Sequence, residues 1–287
     1  MTARLATHLD VSARAPQVLE LLVSAGVDVD VVRVEDMNSD GATRDLLTAL
    51  RESSIDLALV GIHALRGSAA DGLTTVAVLP REEVRDVLVT VAGDPTALMS
   101  LSAGVRVGVI GERRRAFLAA HRPDVTGVTL TRGEMDTVLA GSMEDSPDAL
   151  VISAIEARMA GLVQSTVEAL EPKSWLPAPG QGAVALVARH PIAEATALDH
   201  LPTRTAIRTE LALLDALEAP ADASIGCLAQ PSGRWIRLWA AAASADGMRL
   251  VRSDLTGPLD EPEGLGLQVA RELNSRGYGL VVAPVSN

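Results

Sequence analysis

Short aliphatic, β-branched runs alternate along this chain with stretches whose apolar residues recur at helical spacing. Arg4 to Thr7 reads as a strand, and Ala13 to Ser24 as a helix that groups Val18, Leu21 and Leu22 on one face. Val27 to Val34 is a predicted strand, Thr43 to Glu52 a helix, and Asp56 to Val60, Leu73 to Leu79 and Asp86 to Ala92 are strands. A second, similar series follows: strand Val105 to Ile110, helix Glu112 to His121, strand Val125 to Thr131, helix Glu134 to Ala140 and strand Ala149 to Ser153. Such alternation favours parallel sheets flanked by helices. After Gly182 a further strand, Val184 to Ala188, is placed to rejoin the first series. The remainder changes character: a long helix from Thr203 to Leu217, strands Trp235 to Ala242 and Arg249 to Ser253, a helix Glu263 to Arg276 and a last strand Gly279 to Ala283 make an α+β module.

At 287 residues, 48% hydrophobic and 22% charged, the chain is long enough for two or three domains with real cores. No apolar stretch reaches the roughly 18 residues that would span a bilayer. Met1 to Asp10 has no basic region followed by an apolar segment, so the expected setting is cytosolic. The formal charge of -12 argues against nucleic acid or an anionic membrane as partner. One Phe, one Tyr and three Trp leave little for base stacking, so the core has to be aliphatic. The single cysteine, Cys227, excludes an internal disulfide and a multi-cysteine metal site. No Gly-x-Gly-x-x-Gly, Walker loop, catalytic triad pattern or paired-His metal motif is evident.

The most specific segment is Leu176-Pro177-Ala178-Pro179-Gly180-Gln181-Gly182-Ala183, a Pro/Gly loop feeding an apolar strand. Proline fixes its backbone, and glycine allows close approaches a side chain would forbid. It resembles the Leu-Pro-Ala-x-Gly-Gln-Gly-Ala signature of the porphobilinogen deaminase (hydroxymethylbilane synthase) family. Further matches occur in order. Arg81-Glu82-Glu83-Val84-Arg85-Asp86 is similar to the family's Arg-Glu-Asp-Pro-Arg-Asp crossover. Val107-Gly108 with Arg113-Arg114, then Arg122-Pro123-Asp124, resembles Gly-Thr-Ser-Ser-Leu-Arg-Arg and its Arg-Pro-Asp sequel. Arg132-Gly133 corresponds to the Arg-Gly of Arg-Gly-Asn-x-x-Thr-Arg, Ala154, Arg158 and Gly161 keep a family spacing, and Gly226-Cys227 matches the end of Gly-Gly-Cys.

The resemblance implies two periplasmic-binding-protein-like α/β domains around a cleft plus a smaller α+β C-terminal domain. Mapped here, the first comprises 1–82 and 180–199, the second 83–179 and the third 203–287. It also implies an activity: porphobilinogen units lose ammonia and are joined through electrophilic azafulvenes, building hydroxymethylbilane for tetrapyrrole biosynthesis. Positive charge develops on pyrrole nitrogen, so a fixed carboxylate stabilises the transition state. The growing chain accumulates carboxylates that suit arginine forks. By this likeness Cys227 holds a dipyrromethane cofactor through a thioether, and Arg113, Arg114, Arg132, Arg158 and Gln181 face substrate.

The departures converge on the same site. Asp56-Leu57-Ala58-Leu59-Val60-Gly61-Ile62-His63-Ala64, set on the family's Asp-Ile-Ala-Val-His-Ser-Met-Lys-Asp, puts Ala64 at the catalytic Asp and His63 at the Lys. Losing one well-aimed electrostatic group costs about 2.7–4 kcal/mol, roughly a hundred- to a thousandfold in rate. His8 stands at the second Arg of Arg-Ile-Ala-Thr-Arg-x-Ser and Asp10 at its Ser; Gly111 replaces a Ser and Val138 an Arg. Ser39 to Asp45 lacks the basic Gly-rich lid, Ile225 replaces the first Gly of Gly-Gly-Cys, and Ala219 to Ser224 reads as a lengthened approach to Cys227.

Plainer roles stand beside each of these. Cys227 suits a small buried hydrophobe; Arg113, Arg114 and Arg115 suit either an anion at a helix start or a solvated face. Arg158 suits a surface helix, His63 a loop, and Gln181 a cap on its own loop. The expected function is therefore a hydroxymethylbilane synthase-like protein, impaired or altered at Ala64. The alternatives are a non-catalytic or repurposed paralogue that binds a carboxylated pyrrole or other small anion, and a scaffold that binds a partner protein.

Overall fold

A computed structural model describes residues 2–7, 14–32, 42–65, 71–91, 96–162 and 167–281, with the side chains of residues 42, 43, 63, 64 and 167 outside that description. The expectations for His8 and Asp10, for most of the lid segment, and for the side chains of His63 and Ala64 lie outside the described residues. The chain divides into two compact units, Met1–Glu82 with Gly180–Ile207, and Glu83–Pro179 with Arg208–Asn287.

In the first unit β1 (Ala3–Thr7), α1 (Ala15–Ser24), β2 (Val29–Val31), α2 (Ala42–Arg51), β3 (Leu57–Gly61) and β4 (Thr74–Val78) follow in order. In the second come β5 (Asp86–Thr90), β6 (Arg106–Val109), α3 (Glu112–His121), β7 (Thr126–Thr129), α4 (Arg132–Leu139), β8 (Ala149–Ser153), α5 (Ala154–Met159) and β9 (Val167–Ala169). The chain then supplies β10 (Val184–Ala188) to the first unit, α6 (Ala193–Thr196) and α7 (Leu201–Ala216). It closes with β11 (Ile225–Ser232), β12 (Trp235–Ala243), β13 (Leu250–Pro258), α8 (Pro262–Ser275) and α9 (Tyr278–Val281).

The first two sheets share one plan. Strand order is β2-β1-β3-β10-β4 in one and β7-β6-β8-β5-β9 in the other. In each, three strands run parallel, and a fourth that arrives from elsewhere in sequence runs antiparallel between the third and the edge. Strands buried on both faces read as continuous apolar runs, and β8 and β10 are buried at every residue. Leu5, Leu57, Leu59 and Leu186 pack with Val18 and Leu22 of α1. In the second unit Leu150, Ile152, Val87 and Val89 pack with Met135 and Val138 of α4. The opposite face, Val107, Val109 and Val151 with Phe117 of α3, shares its core with Leu228, Ala241 and Ala243 of the third sheet.

That third sheet is an antiparallel meander, β11-β12-β13. Its first strand was not foreseen, because Gly226, Ala229 and Pro231 are poor strand residues read one at a time. Pairing with β12 forms it, and Pro231 is tolerated because β11 is an edge strand. The predicted strand at Gly279 is corrected: Tyr278–Val281 is a helical turn, with Tyr278 and Val281, three residues apart, both buried. Helix α5 and strand β9 were also unforeseen, both being too short to show a period.

Candidate functional site

The site is built from the first residue of β5. Asp86 has no exposed surface, and three donors converge on its carboxylate. Arg113 Nη2 donates to Oδ2 at 2.6 Å, Arg114 Nη2 to Oδ1 at 2.9 Å, and Trp175 Nε1 to Oδ2 at 2.9 Å. Both arginines lie in the first turn of α3, which Gly111 enters with a positive φ of 87°. The second Arg113 arm, Nη1, donates to the Leu176 carbonyl at 2.7 Å, and its guanidinium carbon lies 5.9 Å from the Phe117 ring centre.

A second carboxylate extends the cluster. Glu156 sits at 3.6 Å from Arg114 Nη2, and Arg132 Nη1 donates to it at 2.5 Å. A capping box holds Glu156: its Oε2 accepts from the Ser153 amide at 2.8 Å while its own amide donates to Ser153 Oγ at 3.1 Å. Three guanidiniums thus gather on two carboxylates. Burial alone pushes the Asp86 pKa up, but Arg113 and Arg114 outweigh it and hold the carboxyl well below its usual range. Burial likewise opposes Glu156, which Arg114 and Arg132 keep ionised. Burial lowers the Arg113 pKa against the pull of Asp86 and, more weakly, of Cys227. Desolvation also opposes the Arg114 charge, yet Asp86 and Glu156 raise its pKa. One donor is left over: buried Arg114 Nε has no hydrogen-bond partner among the described residues.

The structure therefore brings Arg113, Arg114 and Arg132 together, with Asp86, Glu156 and Trp175 as partners that sequence reasoning had not singled out. The signal for Asp86 was present in the Arg-Asp that ends the crossover motif; Trp175 carried none. Arg158 lies on α5, two residues beyond Glu156, and is exposed. Gln181 belongs to the first unit, where its carbonyl accepts from Arg81 Nε at 2.9 Å. His63 and Ala64 fall in a 3-10 turn, Ile62–Leu65, at the end of β3. Among the described residues no group of three or more His, Cys, Asp or Glu is placed to hold a metal ion. No helix there is long and apolar enough to cross a membrane.

Cys227 is a strand residue with no exposed surface. Its amide donates to the Pro177 carbonyl at 3.0 Å, and it stands opposite Ala240 on β12. These surroundings do not fit a thioether to a two-ring, carboxylated group: the sulfur is shielded on every side.

The chain has relatives among known proteins. Residues 7–197 match the family model described as "Porphobilinogen deaminase, dipyromethane cofactor binding domain". The chain is 36% identical over 247 residues to a porphobilinogen deaminase of Desulforudis audaxviator, covering 85% of this chain and 79% of that one. It is 32% identical over 297 residues to a porphobilinogen deaminase of Thermobifida fusca, covering 98% and 91%. Among solved structures it is similar to a periplasmic substrate-binding protein of an ABC transporter from Coxiella burnetii, at TM-score 0.45 and 16% identity, covering 68% of this chain and 89% of that one. By its own sheets the chain is an α/β protein, with two sheets of like topology and a smaller α+β part. It belongs to the porphobilinogen deaminase family, and the domain it shares with that family is the one described as binding the dipyrromethane cofactor.

Proposed function

We propose that this protein acts in tetrapyrrole biosynthesis as a divergent hydroxymethylbilane synthase-like member, binding a carboxylated pyrrole at the Arg113–Arg114–Arg132 cluster while ordinary porphobilinogen polymerisation is impaired. The observation that carries the binding half is the buried Arg114 Nε, a donor with no hydrogen-bond partner among the described residues, within a cluster of three arginines. A buried donor without an acceptor is costly, and an incoming carboxylate relieves that cost. Arg158, two residues beyond Glu156, completes the proposed anion-binding set. The impaired half is supported by Ala64, which offers no charge where the family carries its catalytic Asp. A three-domain organisation, with 1–82 and 180–199, 83–179 and 203–287 as its parts, and a cytosolic setting belong to the same reading.

The test pairs two measurements on the purified chain: calorimetric binding of porphobilinogen, and its consumption over time. Saturable binding with consumption roughly a hundred- to a thousandfold below an ordinary family member is expected. Absence of binding removes the first half, and consumption at the ordinary rate removes the second.

A further inference from the structure

Resting on that reading of the site, we infer that Cys227 is a core residue and that a dipyrromethane is held by this chain reversibly, through its carboxylates, with no covalent bond to the protein. Adjacent residues of a strand point to opposite faces of its sheet, and directly paired residues share a face. Gly226 pairs with Ala241 and Leu228 with Trp239. Leu228, Ala241 and Ala243 join the core that contains Phe117, Trp175 and Leu176, so this face looks toward the arginine cluster, where Arg113 holds the Leu176 carbonyl. A Cβ on Gly226 would lie 2.6 Å from that same carbonyl oxygen, which shows how closely β11 is pressed against the loop.

Cys227, one residue on and paired with Ala240, has its side chain on the opposite face of β11, across the strand from Arg113 though still within electrostatic reach of it. That opposite face is the one covered by α8. Gly257, paired with Ile236, has Leu265 of α8 at 3.3 Å from its Cβ position. Ile236 and Ala240, four residues apart on β12, share that face. Beneath it α7 and α8 pack so tightly that a Cβ on Gly266 would lie 2.7 Å from the Thr209 carbonyl oxygen. A one-residue slip of β11 would turn Cys227 round, but it would also drive Ile225 and Ala229, both buried, off the helix-covered face. Glu210 of α7 opposes the slip, accepting from the Ala229 amide at 2.8 Å. Carboxylated pyrroles attached to this sulfur would have to enter an apolar core, where an unpaired carboxylate is strongly disfavoured. The chain has no second cysteine to serve instead.

The attachment is tested separately from the binding. The whole chain, purified from a haem-producing bacterium, is weighed under denaturing conditions and titrated with a thiol reagent before and after unfolding. The expected mass is that of the unmodified polypeptide, with the thiol silent in the folded protein and fully reactive after unfolding. A mass increment of two pyrrole units that survives denaturation and maps to the peptide containing Cys227 overturns the inference. In the Cys227→Ala variant, porphobilinogen affinity is expected to stay within about twofold of the parent, well under 1 kcal/mol. Loss of binding with an unchanged melting temperature would equally overturn it. Failure of the parent chain to bind porphobilinogen, with an unmodified mass, instead counts against the site alone.

Discussion

The indole N–H of Trp175 donates to the Asp86 carboxylate at 2.9 Å, across 89 positions of sequence. The two residues sit at the two places where the chain passes into and out of the 83–179 stretch, and the bond fastens one to the other. Asp86 is at the same time the counter-charge of Arg113 and Arg114. One buried carboxylate therefore both holds the base of the Pro/Gly loop and orients the proposed anion-binding arginines.

Asp86→Asn keeps the shape and a hydrogen-bond acceptor but leaves two buried guanidiniums short of a counter-charge. Breaking a buried pair from one side costs about 3–5 kcal/mol, and urea unfolding of the variant is expected to show a loss of that order. Trp175→Phe removes the indole donor to a charged acceptor, about 1.5–3 kcal/mol, and leaves a small void beside Phe117 and His121 that adds to the loss. A ranking with the Trp175 variant less stable than the Asp86 variant would contradict the central place given to the carboxylate.

The acid limb of stability follows from depressed carboxyls. In the first unit Arg4 Nε donates to Asp56 Oδ2 at 2.9 Å, and Arg4, aided by Arg189, holds the Asp56 pKa down to about 2 against burial. A carboxyl whose folded pKa lies below its unfolded value, about 3.9, stabilises the fold above that value and loses its contribution as pH falls through the folded one. Asp86 and Glu156 act in the same sense. Stability is thus expected to decline below pH about 4, and Asp56→Asn to flatten part of that decline. Urea titrations at a series of pH values check it; a variant with the parent's full acid slope refutes the assignment.

Gly226→Ala places a Cβ 2.6 Å from the Leu176 carbonyl oxygen and 2.8 Å from the Leu176 Cβ. Backbone has to move, and overpacking of this kind costs about 1–3 kcal/mol. A lowered melting temperature is expected, together with weaker porphobilinogen binding, because the same carbonyl accepts from Arg113. A variant as stable as the parent would mean that β11 does not press on this loop as described.

Restoring the family's residues at the turn after β3, Ala64→Asp with His63→Lys, tests how much is missing. Porphobilinogen consumption is expected to stay at background, because the absent carboxylate is only one of two defects if no thioether primer is held. A rise of roughly a hundred- to a thousandfold would show that the carboxylate alone was wanting.

Much of this was legible from residues alone. Continuous apolar runs such as Val184–Ala188 and Ala149–Ser153 can be little else than buried strands, and the helix at Glu112–His121 begins and ends where its pattern does. The strand that carries Cys227 was not legible, since its stability comes from β12 rather than from its own side chains. The arginine cluster was half legible. Motif spacing brought out Arg113, Arg114 and Arg132, but not that Asp86 and Glu156 already neutralise most of their charge, which is a matter of tertiary approach.

The antiparallel strand set between β3 and β4 has a consequence for biosynthesis. A ribosome that has released residues 1–82 has delivered both neighbours of β10 but not β10 itself, so two rows of backbone donors and acceptors wait unpaired while the whole 83–179 stretch is made. An N-terminal fragment ending near residue 82 would keep those bare edges permanently and stick to its own kind, whereas the intact chain closes the gap as soon as Val184–Ala188 emerges.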